Sequence, residues 1–424
     1  MNVGDKHFEQ KDIQTILKHT LLTGYLTRWA NVFMNASFGT KIEKCHFVDC
    51  FAGRGIFGDG EAGSPIIATE NLFKVQESFK QNYNNRLQFN IHTVETEEQY
   101  NDKLKELFHR FENRSGKVFN RHGQFNIELE KLIGFTKRDP ALYFIDPFGY
   151  KGVQMSDIQK IIAVNRHEVL INVMSYSIVR NYNIKSSHAE LKRFFGVDVI
   201  PPDLSEYIKL SSDSKFLKNT KLRFNFEKLE DKILDMYELS LRRNSIVPLY
   251  ILKKRIHSNI NPNIYFHLLF VTRSRDGLKE MKDAMVEYDS LRPKIEMDYQ
   301  LKHDIDKAFW ADDFFSEANK LEQYSYNDFV GEFINKFNND VTTYGEVIDF
   351  FLQNSPLPFR SKINKKSIYD FSMDLFKKNI YVNCSSQSFA NYKSASADNL
   401  EIKASFPAGY KPREYTTIEQ ITLF

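Results

Sequence analysis

The sequence predicts an α/β protein: an open sheet with helices on both faces, followed by a small domain of three helices and a wing. Three observations carry this. An apolar run at Cys45-His46-Phe47-Val48 ends in Asp49 and breaks into a glycine-rich loop through Gly60. A second apolar run, Ala141 to Ile145, ends in Asp146-Pro147-Phe148-Gly149. Around them, short β-type runs alternate with stretches of helical period, the pattern of βαβ units.

Composition permits this fold. The chain has 424 residues, enough for two or three domains, and 42% are hydrophobic, with 37 Phe. That core material excludes a disordered chain. A net charge of +3 neither demands nor excludes a nucleic-acid partner, since local patches decide. Cys45, Cys50 and Cys384 form no CxxC and cannot all pair, which points to a reducing, cytoplasmic setting without a zinc site. The polar start Met1-Asn2-Val3-Gly4-Asp5-Lys6 is not a signal peptide, and no apolar run is long enough for a membrane span.

Residues 1–38 read as an N-terminal helical segment. Ile13, Ile16, Leu17, Leu21, Tyr25, Trp29 and Phe33 mark one face of a helix over 9–35, with Lys18, His19 and Arg28 off that stripe. The helix is expected to pack across the ligand end of the sheet.

Residues 39–295 form the main domain. After the first strand, Phe51-Ala52-Gly53-Arg54-Gly55 is a loop in which Gly53 and Gly55 let the backbone turn and a ligand approach. In open α/β sheets ligands sit outside the carboxyl ends of the strands, where this loop lies. Gly58 completes a GxGxxG pattern, but it belongs to an Ile-Phe-Gly-Asp-Gly turn rather than to a helix start, and no Lys-Ser or Lys-Thr follows as in a P-loop. Ser64 then suits an N-cap and Pro65 a first helical turn, placing a helix N-terminus behind the loop, where a carboxylate or phosphate can bind.

Gln88 to Glu95 alternates and ends in an acid, so Glu95 is the candidate for ribose hydroxyls. Phe125, with Asn126 and Glu128, is expected at a third strand and its loop, near an adenine ring. At the second strong stretch, Asp146, the Pro147 carbonyl and the Phe148 ring could hold an amine nitrogen and stack on a base. Holding two reactants in line is most of what such a site must do. Gly149, Asn172, Tyr176 and Arg180 fall on the expected substrate face. Residues 181–225 read as a polar, irregular insertion, a candidate lid. Pro248 to Lys254 and Tyr265 to Thr272 read as a closing antiparallel pair, and Asp276 to Glu287 as a helix.

Residues 296–323 read as a helical linker. Its Asp304, Asp306, Asp312 and Asp313 lack the spacing of an oxygen-ligand loop and read as a solvated face. Residues 324–424 change texture. Asn327 to Phe337, Val347 to Leu352 behind the capping box Thr343–Glu346, and Ile363 to Lys378 are three helices, the last carrying Lys365, Lys366, Lys377 and Lys378. Ile380-Tyr381-Val382 and Leu400-Glu401-Ile402 are two short strands around a Ser/Asn-rich wing. Together they predict a winged helix-turn-helix whose basic third helix touches phosphates.

Asp49-x-Phe51-Ala52-Gly53-x-Gly55 resembles motif I of class I S-adenosylmethionine (SAM) methyltransferases. That likeness implies that the glycine loop passes under the methionine part of the cofactor and that Asp49 binds its ammonium. Asp146-Pro147-Phe148-Gly149 resembles motif IV of amino-methyltransferases, closest to the Asp-Pro-Phe-Gly of tRNA guanine-N2 dimethyltransferases. The chain as a whole resembles the bacterial three-Cys-motif partner protein family. Tyr25-Leu26 with Trp29, both motifs, Gly63-Ser64-Pro65, Asn172-Val173-Met174, Thr272-Arg273 with Gly277-Leu278 and Met281, and Tyr344 to Phe350 carry that resemblance.

The resemblance implies a Rossmann-like class I methyltransferase fold with a C-terminal winged helix, SAM as cofactor, and a three-cysteine radical-SAM-like companion protein. It also implies a phage-defence or mobile-element setting. The expected activity is N-methylation of an exocyclic amine on a base of RNA or DNA. The alternative is a winged-helix nucleic-acid-binding or interaction protein on a non-catalytic SAM-binding scaffold. A nuclease is a weaker reading, because no paired carboxylates stand ready to hold its metal.

Overall fold

A computed structural model describes residues 9–112, 114, 116–182, 184–199, 220–243, 245, 247–258, 260, 265–303, 305, 323–337, 341–360, 366–377, 382–384 and 401–404. The chain divides into two compact units, Met1–Phe309 and Trp310–Phe424.

The first unit is built on seven strands: β1 (Lys44–Asp49), β2 (Gln88–Glu95), β3 (Lys117–His122), β4 (Ala141–Ile145), β5 (His167–Val173), β6 (Tyr250–His257) and β7 (Tyr265–Thr272). Their order is β3-β2-β1-β4-β5-β7-β6, and β7 alone runs against its neighbours. The sheet is flanked by helices, a Rossmann-like arrangement. The central strands β1, β4 and β5 are buried almost throughout, which is why they read as unbroken apolar runs.

Nine helices of this unit are described. They are α1 (Ile13–Ala36), α2 (Ser64–Tyr83), α3 (Glu98–Phe108), α4 (Phe125–Thr136), α5 (Met155–Ala163), α6 (Ser175–Tyr182), α7 (His188–Phe195), α8 (Thr220–Arg243) and α9 (Arg275–Lys302). Strand alternation sends Phe47, Phe89, Phe144 and Phe270 to the face covered by α1. There the Tyr25 and Phe270 rings lie 4.9 Å apart and those of Trp29 and Phe89 5.9 Å. Val48, Tyr143, Ile145, Val169, Ile171 and Leu269 form the opposite core with Phe125, Leu129, Ile158, Phe194 and Tyr237.

Several expectations are corrected. Helix α1 starts at Ile13, capped by Asp12, which accepts from the Thr15 N–H. It does not lie across the ligand end. It runs along the sheet face, with Lys18 near the tip of β4 and Tyr25 near the start of β5. The third strand precedes Phe125, which instead opens α4 and is buried there. Within the stretch read as an irregular insertion, α7 packs Leu191, Phe194 and Phe195 into the core, at the spacing of a helix face. Residues 200–219 of it lie outside the described residues. Helix α9 runs on to Lys302, well past Glu287. Asp304, Asp306, Asp312 and Asp313 lie outside the described residues.

In the second unit, α10 (Tyr326–Phe337), α11 (Tyr344–Asn354) and α12 (Ile368–Lys377) accompany three strands, β8 (Val341–Thr343), β9 (Val382–Cys384) and β10 (Glu401–Ala404), ordered β8-β10-β9. The Thr343–Glu346 capping box is formed in both directions. Phe329 stacks on Phe351 at 3.8 Å, joining α10 to α11. The third helix is shorter at its start than expected. It starts at Ile368, carries Asp370 and Asp374, and leaves Lys366 before it, donating to Tyr324 O. Lys365 and Lys378 and the Lys377 side chain lie outside the described residues.

Candidate active site

Strand order reverses between β1 and β4, so their carboxyl ends form the switch point of the sheet, where ligands bind in open α/β proteins. The two motifs meet here. Asp49 is in register with Phe144, and the Cys50 N–H extends the pairing to Phe144 O at 2.9 Å. Asp146 lies two residues beyond Phe144, close enough that its charge and that of Glu95 raise the Asp49 pKa.

Asp49 is fully buried. Burial is the main reason its carboxyl is pushed up to about 7, and the Ser64 hydroxyl and Phe51 N–H offset part of that rise. The Phe51 N–H donates to Oδ1 at 3.3 Å, while Oδ2 is buried without a hydrogen bond of ordinary geometry among the described residues. A buried, under-satisfied carboxylate oxygen is costly, and a cationic ligand would relieve it.

The glycine loop is pinned on both sides. The Ala52 N–H donates to Val94 O, and the Gly53 N–H donates to Glu95 Oε2 at 2.7 Å. Gly53 and Gly55 both take left-handed φ, +59° and +79°. At Gly55 the close approach is the protein's own: a Cβ would come within 2.6 Å of Leu104. The Gly58 segment is a turn, as expected, with Phe57 N donating to Glu61 O. Gly63 caps α2, and Ser64 is its first residue rather than its cap, a shift of one position. Ser64 is buried beside Asp49 at that helix N-terminus.

Glu95 accepts from the Gly53 N–H through one oxygen and from the Glu97 N–H through the other. Burial raises its pKa, and the backbone N–H groups of Glu97, Gly53 and Thr96 hold it back. The Phe51 and Phe125 rings lie 5.6 Å apart and wall the same side of the loop.

At the β4 tip, Pro147 is buried and Phe148 is 68% exposed, next to the acid in sequence. Gly149 lies against Ser177 Oγ. Asp146 Oδ1 accepts from Asn172 Nδ2 at 2.8 Å, and Oδ2 is paired with the Lys18 ammonium. Asn172 is buried, and its own Oδ1 lacks a hydrogen-bond partner among the described residues. Tyr176 and Arg180 fall on α6, but their side chains lie outside the described residues.

Lys18 is the residue that sequence reasoning missed. It falls off the main apolar stripe of α1, yet it is only 5% exposed. A weak signal existed: Gln14, Lys18, Leu22, Leu26 and Ala30 form a second row at four-residue spacing, and all are buried. His19, also off the stripe, is buried, and burial lowers its pKa well below the usual range.

The β1 end of the site thus gathers an under-satisfied buried carboxyl oxygen at Asp49, a helix N-terminus at Ser64 and the Glu95 carboxyl. Among the described residues, no group of three His, Cys, Asp or Glu side chains is placed to hold a metal ion, and no helix is long and apolar enough to cross a membrane. No protein-family model matches the chain, and a search of curated proteins finds no match.

Proposed function

We propose that the first unit is a class I SAM-dependent methyltransferase that methylates an exocyclic amine on a base of RNA or DNA. One observation carries the reading. Two acid-tipped strands, β1 with Asp49 and β4 with Asp146, adjoin at the topological switch point, and buried acceptors there, Asp49 Oδ2 and, on β5, Asn172 Oδ1, have no hydrogen bond of ordinary geometry among the described residues. The closing antiparallel pair β7–β6 also fits the end of a methyltransferase sheet, and the motif likeness to three-Cys-motif partner proteins points the same way.

In this reading Asp49 takes the cofactor's ammonium, the α2 N-terminus with Ser64 takes its carboxylate, and Glu95 accepts from its ribose hydroxyls. When bound, SAM would supply an electrophilic methyl group to the amine lone pair and leave as S-adenosylhomocysteine, and the proton then lost from nitrogen would pass to solvent. Asp146 and the Pro147 carbonyl accept the amine N–H groups and share the charge that develops on nitrogen. Phe148 offers its exposed ring to the base. Catalysis is mainly orientation, and a base in a duplex would have to be flipped out.

The second unit, with three helices and the β8-β10-β9 sheet, supports a winged helix-turn-helix reading. In its described part the third helix is not cationic, so contact with phosphates would have to come from elsewhere in the unit.

The test uses the full chain. Calorimetry with SAM and with S-adenosylhomocysteine is expected to show binding of both. Tritiated methyl transfer to total RNA, DNA and protein is expected to label nucleic acid. Binding of neither cofactor form would eliminate the proposal.

A further inference from the structure

The β4 tip carries its own cation. The Lys18 ammonium pairs with Asp146 Oδ2 and lies 4.6 Å from the centroid of the Phe266 ring. Asn172 holds the other Asp146 oxygen and keeps one neutral acceptor, its Oδ1, unmet. The Asp146 carboxylate is therefore already balanced by a buried partner, while the charge of Asp49 serves the cofactor's ammonium in the reading above.

We infer that Lys18 restricts the acceptor to an amine that is neutral at physiological pH, such as the conjugated exocyclic amine of a nucleobase, and turns away alkylammonium groups. This rests on the methyltransferase reading and narrows its substrate class. A lone, partly buried carboxylate attracts any cation. One neutralised by Lys18 has no net charge to offer, and an incoming cation would meet the Lys18 ammonium at short range in a medium that screens poorly. Side-chain and polyamine nitrogens, with pKa about 10, arrive protonated and without a lone pair for the methyl group. A neutral amine brings two N–H donors, and the site has matching acceptors in the remaining Asp146 lone pairs and Asn172 Oδ1. Lys18 does not touch the reacting atoms in this scheme; it acts through Asp146 as a specificity-setting, positioning residue.

The test titrates spermidine and ethylammonium into the full chain loaded with S-adenosylhomocysteine, as wild type, Lys18→Met and Lys18→Arg. Wild type and Lys18→Arg should bind neither amine measurably, whereas Lys18→Met should gain at least tenfold in affinity for both. The double variant Lys18→Met/Asp146→Asn, which leaves no unpaired charge to destabilise the fold, should lose that gain. In the methyl-transfer assay, Lys18→Met should lose at least tenfold in kcat on nucleic acid while cofactor affinity holds. Amine binding by wild type, or none by a folded Lys18→Met, overturns the inference. The cofactor titration reports separately on the methyltransferase reading, and should that fail, the amine titration on the unloaded chain still decides the role of Lys18.

Discussion

Two buried carboxyl groups at opposite ends of the same sheet have different surroundings. Glu168, at the start of β5, accepts from the Tyr25 hydroxyl through one oxygen and the Thr272 hydroxyl through the other, both at 2.7 Å. Gly277 completes the enclosure, since a Cβ there would lie 2.1 Å from Glu168 Oε1. Asp49, at the end of β1, is as deeply buried and leaves an oxygen unmet. Burial raises the pKa of both. The difference lies in satisfaction. The closed carboxyl ties α1, β5 and β7 together, and the open one has capacity left for a ligand. Tyr25, Thr272 and Gly277, which helped carry the sequence resemblance, thus belong to the structural end of the sheet.

Substitutions at the two ends should separate these roles. The largest effect is expected at Asp146. Asp146→Ala should cut methyl transfer by about a hundredfold or more and, by stranding the buried Lys18 ammonium, cost about 3 kcal/mol of stability, read by denaturant unfolding. At the closed end, Glu168→Ala should cost about 3 kcal/mol, because two buried hydroxyls lose their acceptor, with cofactor affinity unchanged by calorimetry. A large loss of affinity in that variant would erase the contrast.

Asp49→Asn should weaken SAM about tenfold through the lost charge on a partner of its ammonium. Its pH signature sharpens the comparison. The folded-state value lies above the unfolded one, about 7 against 3.8. The folded chain therefore holds the proton more tightly, and this contribution to stability is complete below about pH 4 and lost as pH rises through about 7. Thermal scans across that window should show wild type losing stability with rising pH relative to Asp49→Asn, and SAM affinity rising in wild type only. The smallest effect is expected for Tyr25→Phe, about 1 kcal/mol by denaturant titration, with activity retained.

Much of the site was legible because its chemistry is local. An apolar run closed by an acid and a glycine loop announces a strand tip, and both Asp49 and Asp146 were found that way. Lys18 was not, because its burial depends on a partner 128 residues away, and in α1 alone a lysine off the apolar stripe reads as solvated. Helix α7, within the stretch read as irregular, is hidden for a related reason: Leu191, Phe194 and Phe195 are few, and polar neighbours mask their spacing. The start of α12 is hidden in the other direction, since Lys366 belongs by composition to the helix that follows and lies before it in the fold.

The bond between Lys18 and Asp146 has a consequence for synthesis on the ribosome. Asp49, Ser64 and Glu95, the residues proposed to hold the cofactor, all fall in the first quarter of the chain. The amine half needs Lys18 from the beginning, Asn172 from β5 and Phe266 from β7. The Lys18–Asp146 pair can close only once the chain has been made through β4, and because α1 also covers the sheet face at Phe89 and Phe270, a version trimmed to begin at β1 would lose part of its core along with Lys18.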